Sequence, residues 1–240
     1  MLSVFISGLQ RQSGKTIITA GLAGTMQSLS YTTCVYKPVQ TAANTMNGFL
    51  QSQDLALIKR IDANIHTHSS YMFTSPKSPL VGAYENGPEK IELNTICRDF
   101  QNHAGMSDCR IIEGANSIST PYNEKLTEIN IAKELGIPIL LVVNPKMSSI
   151  DDVILGINYI EQNKADFLGV IINDYNEHAE DLEERYFPAL VQEYTKARIL
   201  GTIPHYEDFM KLTPDTLISD VLNNVQLEEI FGLKIAKLNE

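Results

Sequence analysis

The segment Gly8-Leu9-Gln10-Arg11-Gln12-Ser13-Gly14-Lys15-Thr16 closes on Gly-Lys-Thr. It follows an apolar run over residues 2–7 and leads into a helical pattern that starts at Ile17. A strand, a glycine-bearing loop ending in Gly-Lys-Thr and then a helix is the order a phosphate-binding loop needs. Backbone N–H groups of the loop and the helix N-terminus together make a cradle for phosphate oxygens. Gly14 lets the backbone pass close to phosphate, Lys15 brings a mobile positive charge, and Thr16 offers a hydroxyl to Mg²⁺. Five residues separate the two glycines, one more than the usual spacing. The chemistry expected of this segment is binding of a nucleoside triphosphate.

Further polar residues stand at the ends of apolar runs. Lys37 ends a strand pattern in Tyr36-Lys37-Pro38-Val39. It reads either as a solvated strand-end lysine or as a second cation beside a transferring phosphoryl group. Asp54 opens a helical pattern, as an N-cap or as a carboxylate turned toward the loop. Glu113 closes the apolar run Arg110-Ile111-Ile112-Glu113, where a carboxylate near Mg²⁺ is expected. With Thr16 and phosphate oxygens, Asp54 and Glu113 would give Mg²⁺ the hard oxygen ligands it requires. His66 and His68 flank Thr67 without a third ligand nearby and read as surface residues. His103, His178 and His205 have no context that marks catalysis, and the cysteines carry no nucleophile pattern.

Positioning these groups requires a sheet. Strands are expected over 2–7, 33–37, 109–113, 137–143, 167–172 and 199–203, and helices over 17–28, 54–61, 91–103, 127–135 and 150–162. The near-continuous apolar character of the strands suits a sheet covered on both faces. Ile150, Val153, Ile154, Ile157 and Ile160 recur at helical spacing and need only a core to explain them. The alternation predicts an α/β fold: a doubly wound, mostly parallel sheet with helices on both faces, of P-loop NTPase type, in one domain over 1–240. Ligands of such sheets bind beyond the strand carboxyl ends, which selects Gly8, Lys37, Glu113, Asn144 and Asn173. The polar stretch 41–47 reads as a surface or active-site loop.

Bulk properties narrow the partners. A formal charge of −10 disfavours nucleic acid and anionic membranes. Three cysteines without a CxxC pair predict a reducing compartment. The apolar start is too short for a signal peptide and has no basic flank, and no run reaches the length of a membrane span. A cytoplasmic location is expected.

In this order the segments resemble the dethiobiotin synthetase family. The resemblance runs from Gly14-Lys15-Thr16 through Tyr36-Lys37-Pro38-Val39, Asp54-Leu55-Ala56 and Met72-Phe73 with Ser78-Pro79. It continues through Ile112-Glu113-Gly114-Ala115, the strand at 138–143, Gly169 to Asn173 and Leu200-Gly201-Thr202-Ile203-Pro204. Gly-Lys-Thr is generic, whereas Lys-Pro-Val, Ser-Pro and Glu-Gly-Ala in this order are far more specific. The resemblance implies ATP and Mg²⁺ as cofactors, and a diamine, 7,8-diaminononanoate, with CO₂ as substrates. The carbamate of the diamine would attack the γ-phosphate, and the second amine would close the ureido ring. Lys15, Lys37 and Thr41 would be catalytic, and Thr16, Asp54 and Glu113 would hold the metal. Nucleotide contacts would fall to Gly8, Gln12, Ser13, Gly14, Lys15, Thr16, Ile17, Glu113, Gly114, Asn173 and Pro204, with Asn173 reading the adenine edge. A homodimer is implied, with substrate near the interface.

This chain departs from the family pattern in three places. Arg11 and Gln12 stand where the family usually has Thr and Glu, and Asn116-Ser117 replace two glycines. Ser148-Ser149-Ile150-Asp151 replaces a Gly-x-Ile-Asn step that helps hold the distal carboxylate, which an aspartate would repel. Partitioning ATPases of related fold carry a signature lysine where this chain has Gln10. A relative with another amine or carboxylate substrate, or a regulatory nucleotide-binding module, is the alternative reading.

Overall fold

The computed structural model describes residues 2–87, 90–207 and 211–233. Strand β1 (Leu2–Gly8) is followed by α1 (Lys15–Ser28), β2 (Thr33–Tyr36), β3 (Val39–Gln40), β4 (Asn44–Met46), β5 (Phe49–Gln51) and α2 (Gln53–Ile61). Next come β6 (His66–His68), β7 (Tyr71–Met72), α3 (Pro79–Asn86), α4 (Leu93–Ala104), β8 (Cys109–Glu113), α5 (Glu128–Leu135) and β9 (Ile139–Val143). The chain continues with α6 (Ile150–Gln162), β10 (Phe167–Tyr175), α7 (Leu182–Thr195), β11 (Ile199–Pro204), α8 (Pro214–Asn224) and α9 (Leu227–Phe231).

Seven strands form one sheet in the order β11-β10-β9-β1-β8-β2-β6. Every pairing in it is parallel. Alternate residues of each strand therefore enter opposite cores. On β1, Val4 and Ile6 pack with Ile18, Leu22, Leu217 and Val221 from α1 and α8. Phe5, between them, joins Ile96, Ile129, Ile157 and Phe187 from α4, α5, α6 and α7 on the other face. Val4, Phe5 and Ile6 are fully buried, and each such side chain stabilises the fold by about 1.5–3 kcal/mol. The sheet is doubly wound, as its near-continuous apolar strands require.

Strand order reverses at β1, which lies between β8 and β9. All the carboxyl ends lie along one edge, so Gly8, Lys37, Glu113, Asn144, Asn173 and Pro204 are brought to one side of the sheet.

Local differences from the sequence reading have simple causes. Segment 41–47 is not all loop: β4 and β5 form an antiparallel hairpin, Asn44 opposite Gln51. Its turn is Asn47-Gly48, both at positive φ (53° and 82°), the geometry that matches strand twist. Asp54 is not the N-cap of α2. Ser52 caps it, its Oγ accepting from the Leu55 N–H at 3.0 Å, and this frees the Asp54 carboxylate for other work. His68 is not a plain surface residue, since it stacks on His103 at 3.5 Å between ring centroids. Among the described residues no helix is long and apolar enough to cross a membrane.

Candidate nucleotide site

The loop between β1 and α1 turns through left-handed backbone at Gln12 (φ 61°) and Gly14 (φ 93°). Such turns let successive N–H groups converge on an anion. Gly14 meets two constraints at once. Its φ lies where side chains are strained, and a Cβ there would stand 1.9 Å from Asn173 Nδ2. Asn173, two residues before the end of β10, donates from that nitrogen to the Ser13 carbonyl at 3.3 Å and so ties the loop to the sheet. Gly14→Ala is expected to cost roughly 1–3 kcal/mol from backbone strain alone, and the displacement of Asn173 adds to it. Thermal denaturation with and without nucleotide measures both losses.

Lys15 is 5% exposed, and its ammonium donates to the carbonyls of Asn116 at 2.6 Å and Gln10 at 3.0 Å. Burial pushes its pKa down to about 8, against an upward pull from Glu128. Free Lys15 is therefore cationic below about pH 8 and neutral above it. Affinity for a triphosphate is expected to fall by up to about tenfold per pH unit above that point. Equilibrium binding from pH 6.5 to 9.5 (roughly the span over which linkage acts) checks this. The linkage to folding has the opposite sign. The unfolded chain keeps this proton up to 10.5, so the stability lost by burying the charge is regained as pH rises from about 8.

Beside the loop, Lys37 Nζ lies 2.5 Å from Glu113 Oε1 and 2.8 Å from Asp54 Oδ2. Thr16 Oγ1 donates to the same Glu113 oxygen at 2.9 Å. Lys37 is buried, which alone would lower its pKa, but Glu113 and Asp54 outweigh burial and raise it. Asp54 moves the other way: burial would raise its pKa, and Lys37 holds it below the ordinary range. Glu113 Oε2 is buried with no hydrogen-bond partner among the described residues. An orphaned carboxylate oxygen next to a threonine hydroxyl and a second carboxylate is the donor set a hard divalent cation takes. The residues present fit Mg²⁺.

A cavity of about 390 Å³ opens over this group. Arg11, Gln12, Gly14, Lys15, Thr16, Ile17, Lys37, Thr41, Asp54 and Glu113 line it, joined by Gln40, Gln53, Ala115 and Asn116. A second cavity of about 180 Å³ shares Gln12, Gly14 and Ile17 with it and extends to Asn144, Asn173, Pro204, His205 and Tyr206. The two cavities meet at Gln12, Gly14 and Ile17. Gly8, Ser13 and Gly114 line neither cavity. Ser13 Oγ sits where a Gly8 Cβ would go, and Glu128 sits where a Gly114 Cβ would go. Ser117 borders a separate hollow with Leu9 and Leu155. Asp151 is exposed in the first turn of α6 and lines none of these three cavities.

Some of the site is invisible in the sequence. Asp174 Oδ1 takes His205 Nδ1 at 2.5 Å and Lys146 Nζ at 2.9 Å, and its Oδ2 takes Asn144 Nδ2 at 3.1 Å. Burial would raise the Asp174 pKa, but these donors lower it. The cluster braces the outer wall of the second cavity. Its members come from three strand ends, and only the Asn-Asp doublet after an apolar run marks the place in sequence. Asn116 contributes a backbone carbonyl, for which no residue type is a signal.

The parallel sheet, the left-handed loop at its switch point and the Lys-Thr-carboxylate group define a protein of the P-loop NTPase fold class. The chain belongs to the AAA_26 family of AAA domains, which it matches over residues 3–213. It is similar to the ATP-dependent dethiobiotin synthetase BioD of Bacillus subtilis (strain 168), at 25% identity over 226 residues, 93% of this chain and 96% of that protein. The protein of the same name from Nitrosopumilus maritimus (strain SCM1) is 26% identical over 211 residues, 87% of this chain and 91% of its own. Among solved structures, the MinC:MinD cell division complex of Aquifex aeolicus aligns with TM-score 0.57 and 16% identity, covering 100% of this chain and 99% of the other. A ParA family ATPase from Chlorobium tepidum TLS aligns with TM-score 0.56 and 15% identity, covering 95% of each chain. These two likenesses speak for the fold alone.

Proposed function

We propose that the chain is an ATP- and Mg²⁺-dependent cyclo-ligase of the dethiobiotin synthetase type. It would convert 7,8-diaminononanoate, CO₂ and ATP to dethiobiotin, ADP and phosphate. The observation that carries this reading is the buried Lys37–Glu113 pair, flanked by Thr16 and Asp54 at the mouth of the phosphate loop. It lines a cavity of about 390 Å³ together with the residues of the phosphate loop. The similarity to curated dethiobiotin synthetases over most of the chain supports the same reading.

Each residue has a task in it. The loop from Gly8 to Ile17 binds the phosphate chain, with Lys15 released from its two carbonyls to meet the terminal phosphates. Thr16, Asp54 and Glu113 would hold Mg²⁺, which neutralises phosphate charge and fixes its orientation. Lys37 faces the acceptor as a fixed cation and stabilises carbamate and phosphoryl charge. Its raised pKa keeps it charged throughout the neutral range. Thr41, lining the same cavity, offers a hydroxyl to the acceptor. Asn173 and Pro204 border the base. A transfer of this kind needs alignment and charge stabilisation more than a covalent intermediate on the protein. A cytoplasmic homodimer with no nucleic-acid or membrane partner completes the proposal.

¹³C-bicarbonate supplied with Mg-ATP and the diamine tests it directly. The label is expected in the ureido carbonyl of dethiobiotin. Nucleotide binding without labelled product would leave the regulatory-module reading in its place. A positioning ATPase is disfavoured by Gln10 at the place of the signature lysine.

A further inference from the structure

Glu128 is fully buried at the first position of α5, far in sequence from the phosphate loop. Its carboxylate is surrounded by donors. Ser7 Oγ donates to Oε1 at 2.5 Å, and the Ala115 N–H and Tyr122 hydroxyl donate to Oε2 at 2.8 and 3.1 Å. The Asn116 N–H approaches Oε2 at 3.4 Å. The Ala115 and Asn116 N–H groups can only donate, so Oε2 is held as an acceptor, while burial raises the Glu128 pKa against the pull of Ser7, Lys15 and Tyr122. Two of the tethered segments matter for the cavity. Ser7 is on β1 just before the phosphate loop, and Ala115 and Asn116 form the cavity wall after β8. The Asn116 carbonyl takes the Lys15 ammonium at 2.6 Å. A side chain at 114 would collide with Glu128, the nearest carboxylate oxygen lying 2.0 Å from its Cβ.

We propose that Glu128 is a positioning residue for Lys15: by clamping the Ala115–Asn116 backbone and the root of the phosphate loop to one buried carboxylate, it sets where the lysine ammonium is held. This rests on the nucleotide-site reading above. Its negative charge also lies near enough to Lys15 to favour the charged form of the lysine. Glu128 touches no substrate and is walled off from the cavity by Ala115 and Asn116. Lys15 serves the terminal phosphates, so loss of Glu128 should be felt by ATP more than by ADP.

The test is calorimetric titration of ATP and of ADP, each with Mg²⁺, into wild-type protein, Glu128→Gln and Glu128→Asp. Glu128→Gln puts an amide where donors converge and is expected to weaken ATP about tenfold, the scale of a lost hydrogen bond to a charged group. ADP should weaken much less. Glu128→Asp keeps the charge with poorer packing and should recover part of the ATP preference while melting below wild type. A purely structural glutamate would lower the melting temperature and leave the ATP-to-ADP ratio unchanged; that ratio in folded Glu128→Gln overturns the inference. If Glu128→Gln does not fold, Tyr122→Phe removes one donor and leaves the carboxylate. It should shift the ratio in the same direction, and an unchanged ratio there is equally decisive against. Wild-type protein that binds neither nucleotide overturns the nucleotide reading itself, and this inference with it.

Discussion

Lys15→Ala is expected to lower turnover by roughly 10³-fold, the scale at which a preorganised charge on a transferring phosphoryl group acts. Its ammonium is the flexible cation of the phosphate loop. It is parked on the backbone carbonyls of Gln10 and Asn116 rather than on a carboxylate. Carbonyls release a lysine to phosphate at small cost, whereas an ion pair would compete with the nucleotide. Alanine also removes a buried charge whose pKa burial holds at about 8, so the variant should fold at least as stably as wild type. The pattern to look for is therefore an unchanged or raised melting temperature with phosphate release near background. Full activity in a folded Lys15→Ala protein would sink the phosphate-loop assignment.

Glu113→Ala should act on stability and activity together. Lys37 is 2% exposed and Glu113 1% exposed, at 2.5 Å. Removing one partner of a buried pair leaves the other charge uncompensated and costs about 3–5 kcal/mol. Asp54 remains at 2.8 Å from Lys37, which moderates the loss. Lys37→Met combined with Glu113→Leu exchanges the pair for apolar side chains. Much of the lost stability should return, because burying ions is itself costly. Activity should not return, since Lys37 and the carboxylate beside Thr16 are both gone. Chemical denaturation of the single and double variants separates the two effects. A double variant as unstable as Glu113→Ala would mean that the pair is not what organises this part of the core.

The parts of this molecule legible in sequence are those set by contiguous residues. Strands β1, β8, β9 and β10 are read from near-continuous apolar runs, and α6 from its isoleucine spacing. The phosphate loop is legible because one continuous segment builds it, and Lys37, Glu113 and Asn173 because each stands at the end of an apolar run. Strand β6 is three residues of His-Thr-His at the sheet edge, with no apolar run to mark it. Helix α7 buries only Phe187 and Val191 along its length and contains Pro188, so its apolar stripe is too thin to detect. The Asn47-Gly48 turn is a strong hairpin signal, but its strands are exposed and short, and the polar composition of 41–47 masks them. Glu128 gives no local sign of its role. It meets Ser7 and Lys15's holder only after the 114–127 segment folds back under the loop, a relation no spacing encodes. The Asp174–His205 contact likewise exists only once β10 and β11 pair.

The most direct test of the cyclo-ligase activity is phosphate release by purified protein with Mg-ATP and bicarbonate, with and without 7,8-diaminononanoate. Release that depends on the diamine is expected, with one phosphate formed per dethiobiotin. ATP bound tightly but hydrolysed at the same rate with and without the diamine, with no dethiobiotin formed, would contradict it.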